Sequence, residues 1–283
     1  MDRWTERGAA LAGGAPLLWE TLSWTRIRDL REAGQDLVIL PVGATEQHGP
    51  HLPVGTDSAI ASAVAAFASA ATGVPMLPAI RYAVSVGHTE HWPGTLTIMH
   101  ETLALSLREI ASWLIVHGWR RILILNSHFG NDATLRVAVD RLRFDYGPLL
   151  QINTVNSWAL TPAIREYFLR DGEDIHANRA ETDLMLYLDP EHVDMSVCVD
   201  DEDRTEGLVF SYVVPRTSTN GVTGRPSEGS AAEGRRLLTE MGEAFAAIVE
   251  RGKTEQPPLA WRRGATASPF TTGNAVAANQ TIA

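Results

Sequence analysis

Short uninterrupted apolar runs alternate with segments whose apolar residues recur every three or four positions. This alternation constrains the fold more than any other feature of the chain. Residues 36–43 (Asp-Leu-Val-Ile-Leu-Pro-Val-Gly) form an apolar run stopped by Pro and Gly, the pattern of a strand buried on both faces. From Asp57, read as an N-cap, Ile60, Val64, Phe67 and Ala71 fall on one helical face, and Gly73 ends the helix. Residues 74–82 are expected as a second strand. Leu103, Leu107, Ile110 and Leu114 mark a helix closed by Gly118, and residues 121–126 a strand of Ile and Leu. Leu135, Val139, Leu142 and Tyr146 mark a helix ended by Gly147-Pro148, with a strand over 149–155 beyond it. Leu237, Met241, Phe245 and Ile248 give a long C-terminal helix. Alternating strands and helices with continuous apolar strands predict an α/β fold, a three-layer α/β/α sandwich with a mostly parallel sheet. Residues 1–35 read as a surface-wrapping segment, 36–255 as one domain and 256–283 as an irregular tail. Segments 84–97 and 198–225 read as irregular.

Composition removes several function classes. Of 283 residues, 24 are Lys or Arg and 34 Asp or Glu, giving a net charge of −10 with no basic run. A field of that sign argues against a nucleic-acid partner. No run of 18 apolar residues is present to span a membrane. The charged start, Met1-Asp2-Arg3-Trp4-Thr5-Glu6-Arg7, is unlike a signal peptide, so a cytoplasmic location is expected. The single cysteine, Cys198, cannot form an internal disulfide or a thiolate zinc site. Any metal must therefore be held by imidazoles and carboxylates.

Candidate ligands gather where the strands end, which is where open α/β sheets bind ligands. Glu46 and His48 follow the first strand at a spacing of two, which puts both on one side of an extended segment. Asp57 opens the next helix, and its two oxygens suit a bridge between ions. His128 ends the strand 121–126, and Gly130 beyond it lets the backbone come close to an ion or substrate. This carboxylate and imidazole set suits Zn, Mn or Fe, two of which would share and acidify a water. Glu181 shares a helical face with Leu184 and Leu188, so it is a buried carboxylate in need of a cation, metal or Arg. Asp183 and Arg179 point elsewhere and read as surface or ion-pair residues. His176 precedes that helix and is a candidate general acid. The loop from Ser85 to Leu96 holds His88, Glu90, His91 and Trp92, whose roles spacing cannot separate. His100, His117 and His192 read as surface or helix-end residues, and His51 as at most an indirect contributor.

Taken together, Glu46-x-His48-Gly49-Pro50-His51-Leu52-Pro53 with Asp57, Asn126-x-His128-x-x-Asn131, Pro93-Gly94-Thr95, His176-Ala177-x-x-x-Glu181-Thr182 and Gly221-Val222-Thr223-Gly224 resemble the creatininase (creatinine amidohydrolase) family. The resemblance implies an α/β/α fold, two divalent metal ions, hydrolysis of a C–N bond in a small cyclic or linear amide by a metal-bridged hydroxide, and a homo-oligomer, often a hexamer. Carried over by residue, Glu46 and His128 bind one ion, His48 the other, and Asp57 both. His176 and Glu181 are the catalytic pair. Creatininases proper carry a Glu two residues beyond the strand-end His; here that place is Gly130, and the second ion falls to Glu181. Ser85, Trp92, Phe129 and Gly130 are expected to contact substrate, with Trp158 as a further aromatic wall. The Ser85–Thr95 motif has one residue more than the family pattern and Trp92 for Phe, which detaches it from creatinine as the substrate. Formamide, lactone or modified-peptide hydrolysis uses the same site. A non-catalytic scaffold is the reading from another class.

Overall fold

The computed structural model describes residues 1–89, 91–174 and 176–259. Of the tail expected over 256–283 only residues 256–259 are described, and residues 260–283, like Glu90, lie outside the described residues. In chain order the helices are α1 (Arg3–Ala12), α2 (Trp24–Glu32), α3 (Thr56–Thr72), α4 (His100–Val116), α5 (Asp132–Tyr146), α6 (Pro162–Phe168), α7 (Arg179–Leu188) and α8 (Ala231–Gly252). The strands are β1 (Leu37–Val42), β2 (Arg121–Asn126) and β3 (Gln151–Asn156), all parallel in the order β1-β2-β3.

Successive residues of a strand face opposite sides, and the two cores follow from that. Leu37, Ile39, Leu123 and Leu125 pack with α3, α7 and α8 on one face, while Val38, Leu40, Val42, Ile122 and Ile124 pack with α4 and α5 on the other. The sandwich has the three layers expected.

Three local expectations are corrected. Residues 74–82 run parallel beside β1 but not as a continuous strand: the bridges are confined to Met76 and Ile80, because Pro75 and Pro78 have no N–H to donate. Residues 1–35, expected to wrap the surface, form α1 and α2 and lend Ala9 and Leu18 to the core. Asp57 is not the N-cap of α3. The helix starts one residue earlier with Gly55 as its cap, and the Asp57 carboxylate turns to two buried imidazoles instead.

Candidate metal centre

The site lies beyond the carboxyl ends of the strands. Gly43 ends β1 against α3: a Cβ there would collide with the backbone of Asp57 and Ser58. That close approach brings the loop bearing Glu46 and His48 onto the first turn of α3, beside Asp57. Asn131 ties the neighbouring exits together, donating to the Gly43 carbonyl (2.9 Å) and accepting from Val84 N–H (3.0 Å). Asn126 Oδ1 accepts the His128 N–H (3.1 Å) and so fixes the turn that presents His128. The other motif residues have similar duties. Thr95 Oγ1 accepts the Gln47 N–H (3.0 Å), and the Thr223 N–H donates to the His176 carbonyl (2.8 Å).

The expected ligands converge into two groups. Glu46, Asp57 and His128 form one, and His48, Asp57 and Glu181 the other. Asp57 is shared, with Oδ2 3.3 Å from His128 Nδ1 and Oδ1 3.3 Å from His48 Nε2. Glu46 Oε2 lies 3.0 Å from His128 Nδ1, and Glu181 Oε1 3.9 Å from His48 Nε2.

Two features test whether these residues fit a pair of cations. Asp57 Oδ2, Glu181 Oε2 and Glu46 Oε1 are buried with no hydrogen-bond partner among the described residues, Glu46 Oε1 having only His88 Nε2 off its N–H axis (2.8 Å) and His176 Nδ1 (3.8 Å) near it. Unpartnered buried carboxylate oxygens are expensive unless a cation takes them. The imidazoles are also anchored from behind. His48 Nδ1 donates to the Glu46 carbonyl (3.0 Å) and His128 Nε2 to the Val84 carbonyl (2.8 Å), which leaves His48 Nε2 and His128 Nδ1 facing the carboxylates. Anchoring one ring N–H on a carbonyl is the usual way a metal-ligating His is oriented. The donor set fits.

Without metal, the charges settle among themselves. Burial disfavours a charged His48, yet Asp57, Glu181 and Glu46 outweigh it and raise its pKa to about 10. His128 is likewise raised well above the ordinary value, against its burial, by Glu46 and Asp57. Burial opposes the ionised Asp57, but His48 and His128 hold it near 2. Burial pushes Glu181 up to about 7, opposed by His48 and reinforced by Asp57. His176 is held well below its ordinary value by burial and by repulsion from His88 and His48, so it is neutral at pH 7. Its Nε2 donates to the Gln47 carbonyl (2.8 Å), leaving Nδ1 3.8 Å from Glu46 Oε1.

His176 is presented by a strained backbone. Ala177 has φ 49, a region that costs a non-glycine residue about 1–2 kcal/mol. The turn it makes aims the Ala177 N–H at Glu181, and Asn178 beyond it caps α7 by accepting the Glu181 N–H (3.2 Å).

A cavity of about 200 Å³ opens on this set. Its walls include Ile60, Val84, Phe129, Trp158, Phe168 and Val214, and its polar lining includes Glu46, Asp57, Glu181, Ser85, His88, His128 and His176. Phe129 and Trp158 stack with ring centroids 4.3 Å apart, and Gly130 lines the same space. Ser85 Oγ donates to Glu46 Oε2 (3.0 Å).

Trp92 is not brought in. It packs edge-on to His91 outside the cavity lining, and Trp158 supplies the aromatic wall. Two expectations about neighbours also change. Asp183, read with Arg179 as a surface or ion-pair residue, does pair with Arg179 Nε (3.9 Å), but it is buried and also accepts from Tyr167 Oη (2.6 Å) and Ser230 N–H (2.5 Å), because the start of α8 covers that face. His100 begins α4 as a helix-end residue, but it also lines the cavity. His88 and Asp174 line it too, and neither was singled out by spacing. For His88 the signal was its loop, polar and aromatic beside Ser85.

A family model described as creatininase, creatinine amidohydrolase, matches residues 20–249. The chain belongs to the creatininase family. As a creatininase-family hydrolase, it is 32% identical over 237 residues to a mycofactocin precursor peptide peptidase from Mycolicibacterium smegmatis, covering 79% of this chain and 88% of that one. It is 27% identical over 256 residues to the creatinine amidohydrolase of Pseudomonas putida, covering 84% and 96%. Among solved structures, a mutant creatininase of Zn-Zn type superposes with a TM-score of 0.73 at 27% identity, covering 84% of this creatininase-family chain and 98% of the other. No helix among the described residues is long and apolar enough to cross a membrane.

Proposed function

We propose that this protein hydrolyses the C–N bond of a small cyclic or linear amide with two divalent cations, Zn, Mn or Fe. One ion would sit among Glu46, Asp57 and His128, and the other among His48, Asp57 and Glu181. The observation that carries this reading is Asp57, which offers one oxygen to each imidazole at 3.3 Å. When bound, such a pair supplies an acidified water and a Lewis acid for a carbonyl oxygen.

The chain's own residues do the rest. Phe129 and Trp158 offer a flat apolar wall for a planar amide, and Phe168 and Val214 exclude water from the same space. The backbone at Gly130 and the Ser85 hydroxyl, both in the cavity lining, orient the substrate. His176 is neutral and fixed by its Nε2–H, so its Nδ1 is free to take up a proton and return it to a leaving nitrogen. Glu181, beside the second ion site and on the same cavity wall, shares in that transfer. The expected cytoplasmic location and homo-oligomer, a hexamer by family resemblance, belong to the same reading.

A second reading on the same site takes the terminal amide bond of a short peptide. It is favoured by the relative at 32% identity, named a mycofactocin precursor peptide peptidase. A cavity of about 200 Å³ has room for a small amide or for the end of a chain.

The test is elemental analysis with a substrate screen. Wild type should hold about two ions per chain and turn over amides with Mn or Zn added. Asp57→Ala should lose metal and activity while keeping its circular dichroism spectrum. Turnover by rigorously metal-free protein would overturn the reading. Cyclic imides, formamides and short peptides in one screen separate the substrate classes.

A further inference from the structure

We propose that His88 is a positioning residue for Glu46: its Nε2–H holds Glu46 Oε1 and thereby keeps Oε2 turned to the first ion site. The inference rests on the two-ion reading above. His88 Nε2 lies 2.8 Å from Glu46 Oε1, and the two side chains are 12% and 0% exposed. The approach is close but bent away from the ring N–H axis, so the N–H meets the carboxylate oxygen as a charge–dipole contact in a dry site rather than as a linear hydrogen bond.

Which nitrogen of His88 carries the proton follows from Gln47. The Gln47 Oε1 accepts the Gly49 N–H (2.9 Å), which fixes the orientation of the amide. Its NH2 group therefore faces the Gly221 carbonyl (3.3 Å), His88 Nδ1 (3.0 Å) and His176 Nε2 (2.9 Å). His176 Nε2 already gives its proton to the Gln47 carbonyl (2.8 Å) and cannot accept, so the two amide N–H groups go to Gly221 and His88. An amide N–H donates, so His88 Nδ1 accepts, and in the neutral ring the proton sits on Nε2. That is the reverse of His48, His128 and His176, each of which gives one ring N–H to a backbone carbonyl and turns its other nitrogen toward the carboxylates. Three histidines are set up as ligands or proton acceptors, and one as a donor.

The two oxygens of Glu46 are thereby divided. Oε1 meets His88, while Oε2 receives the Ser85 hydroxyl (3.0 Å) and faces His128 Nδ1 (3.0 Å). A carboxylate gripped at one oxygen presents the other in a single direction. Loss of such an outer partner typically weakens metal binding about 10–100-fold.

The experiment pairs His88→Leu and His88→Gln with imidazole 15N spectra of the wild type before and after loading with Zn2+. In Mn2+ titrations against a chelator, His88→Leu should weaken the first site about 10–100-fold and leave the second at its wild-type value. His88→Gln, whose amide can still donate, should recover most of the loss. The wild-type spectra should show His88 protonated on Nε2 in both states. Unchanged affinities in both variants, or equal weakening of both sites, would overturn the proposal. So would loss of the Nε2 proton on loading together with a third ion per chain, which would make Glu46, His88 and His176 a cation site in their own right. Should the variants fail to fold, the wild-type spectra decide alone, since a proton on Nδ1 refutes the donor role. A wild type that binds no ion at all removes the two-ion reading as well, and is told apart from the other outcomes by its empty titration.

Discussion

Gly130→Ala adds a single methyl group where the geometry has no room for one. A Cβ at 130 would stand 2.5 Å from His128 Nε2 and closer still to the Val84 carbonyl oxygen. Those two atoms share the 2.8 Å hydrogen bond that orients the His128 ring. Val84 is buried, and its N–H is held by Asn131, so the backbone oxygen has little freedom to retreat. The ring must move, and the hydrogen bond goes with it. Overpacking a filled site costs about 1–3 kcal/mol and the lost bond about 1 kcal/mol, so the metal-free protein should lose about 2–4 kcal/mol. His128 Nδ1 then no longer points between Glu46 and Asp57, and affinity at that site should fall about 10–100-fold. Urea unfolding of the metal-free protein reads the first quantity and chelator competition with Mn2+ or Zn2+ the second. Gly130→Glu should behave no better, because its carboxylate must pass through the same obstructed Cβ. If Gly130→Ala unfolds within about 0.5 kcal/mol of wild type and binds both ions normally, the packing account of this turn is wrong.

Ion uptake should release protons. His48, near 10, and His128, well above its usual value, are protonated at pH 7 in the metal-free protein and must give those protons up. Calorimetry in buffers of different ionisation enthalpy should therefore show net release and an affinity that climbs with pH; a flat profile between pH 6 and 8 would contradict it. The same charges stabilise the metal-free fold fully below the unfolded value of 6.5, and that contribution should vanish as pH rises toward 10 in urea denaturation series. Burial opposes ionisation of Asp201, but Arg204, Thr219 and Ser218 pull it from 3.8 to about 2; with the exposed Arg204 screened by solvent, Asp201→Asn should cost about 1 kcal/mol at pH 7. That deficit should hold above the unfolded value and disappear as pH falls toward 2; a deficit independent of pH would point to packing instead. Trp158→Ala removes one face of the Phe129 stack, and should raise KM for an aromatic or planar amide by more than it lowers kcat. Unaltered KM would exclude that wall from substrate binding.

The parts of the fold and candidate site that could be read from the sequence are the local ones. β2 was legible to the residue, because Ile122, Leu123, Ile124 and Leu125 are buried by helices on both faces and leave an unbroken apolar run. Glu46, His48 and His128 were legible because each sits within a few residues of a strand end. Glu181 was legible from the face it shares with Leu184 and Leu188. Residues 74–82 misled because hydrophobicity says nothing about the missing donors of Pro75 and Pro78. The pairing of Asp183 with Arg179 was legible, but its burial was not, because its cover comes from Ser230, 47 positions later, and helical face arithmetic left it looking outward. Trp92 and Trp158 are the same residue type in loops near the site. Only the course of each loop decides that Trp158 stacks on Phe129 while Trp92 turns to His91.

The role of a histidine is a further step from the sequence, because it depends on which nitrogen is occupied. His48, His128 and His176 lie in unrelated segments, yet each donates a ring N–H to a carbonyl, of Glu46, Val84 and Gln47 respectively. Two of those carbonyls belong to the loop after β1, and the third belongs to Val84, whose own N–H is tied by Asn131 to the turn after β2. The backbone of two strand exits thus chooses the reactive face of three imidazoles, and a side chain, Gln47, makes the opposite choice for His88. A shift of one loop by less than the length of a hydrogen bond would alter which nitrogens face the carboxylates without changing a single candidate ligand. It follows that residues with no metal-binding chemistry of their own, Asn131, Thr95 and Gly43, help decide which imidazole nitrogens face the carboxylates, because they fix the backbone that holds the other ring N–H.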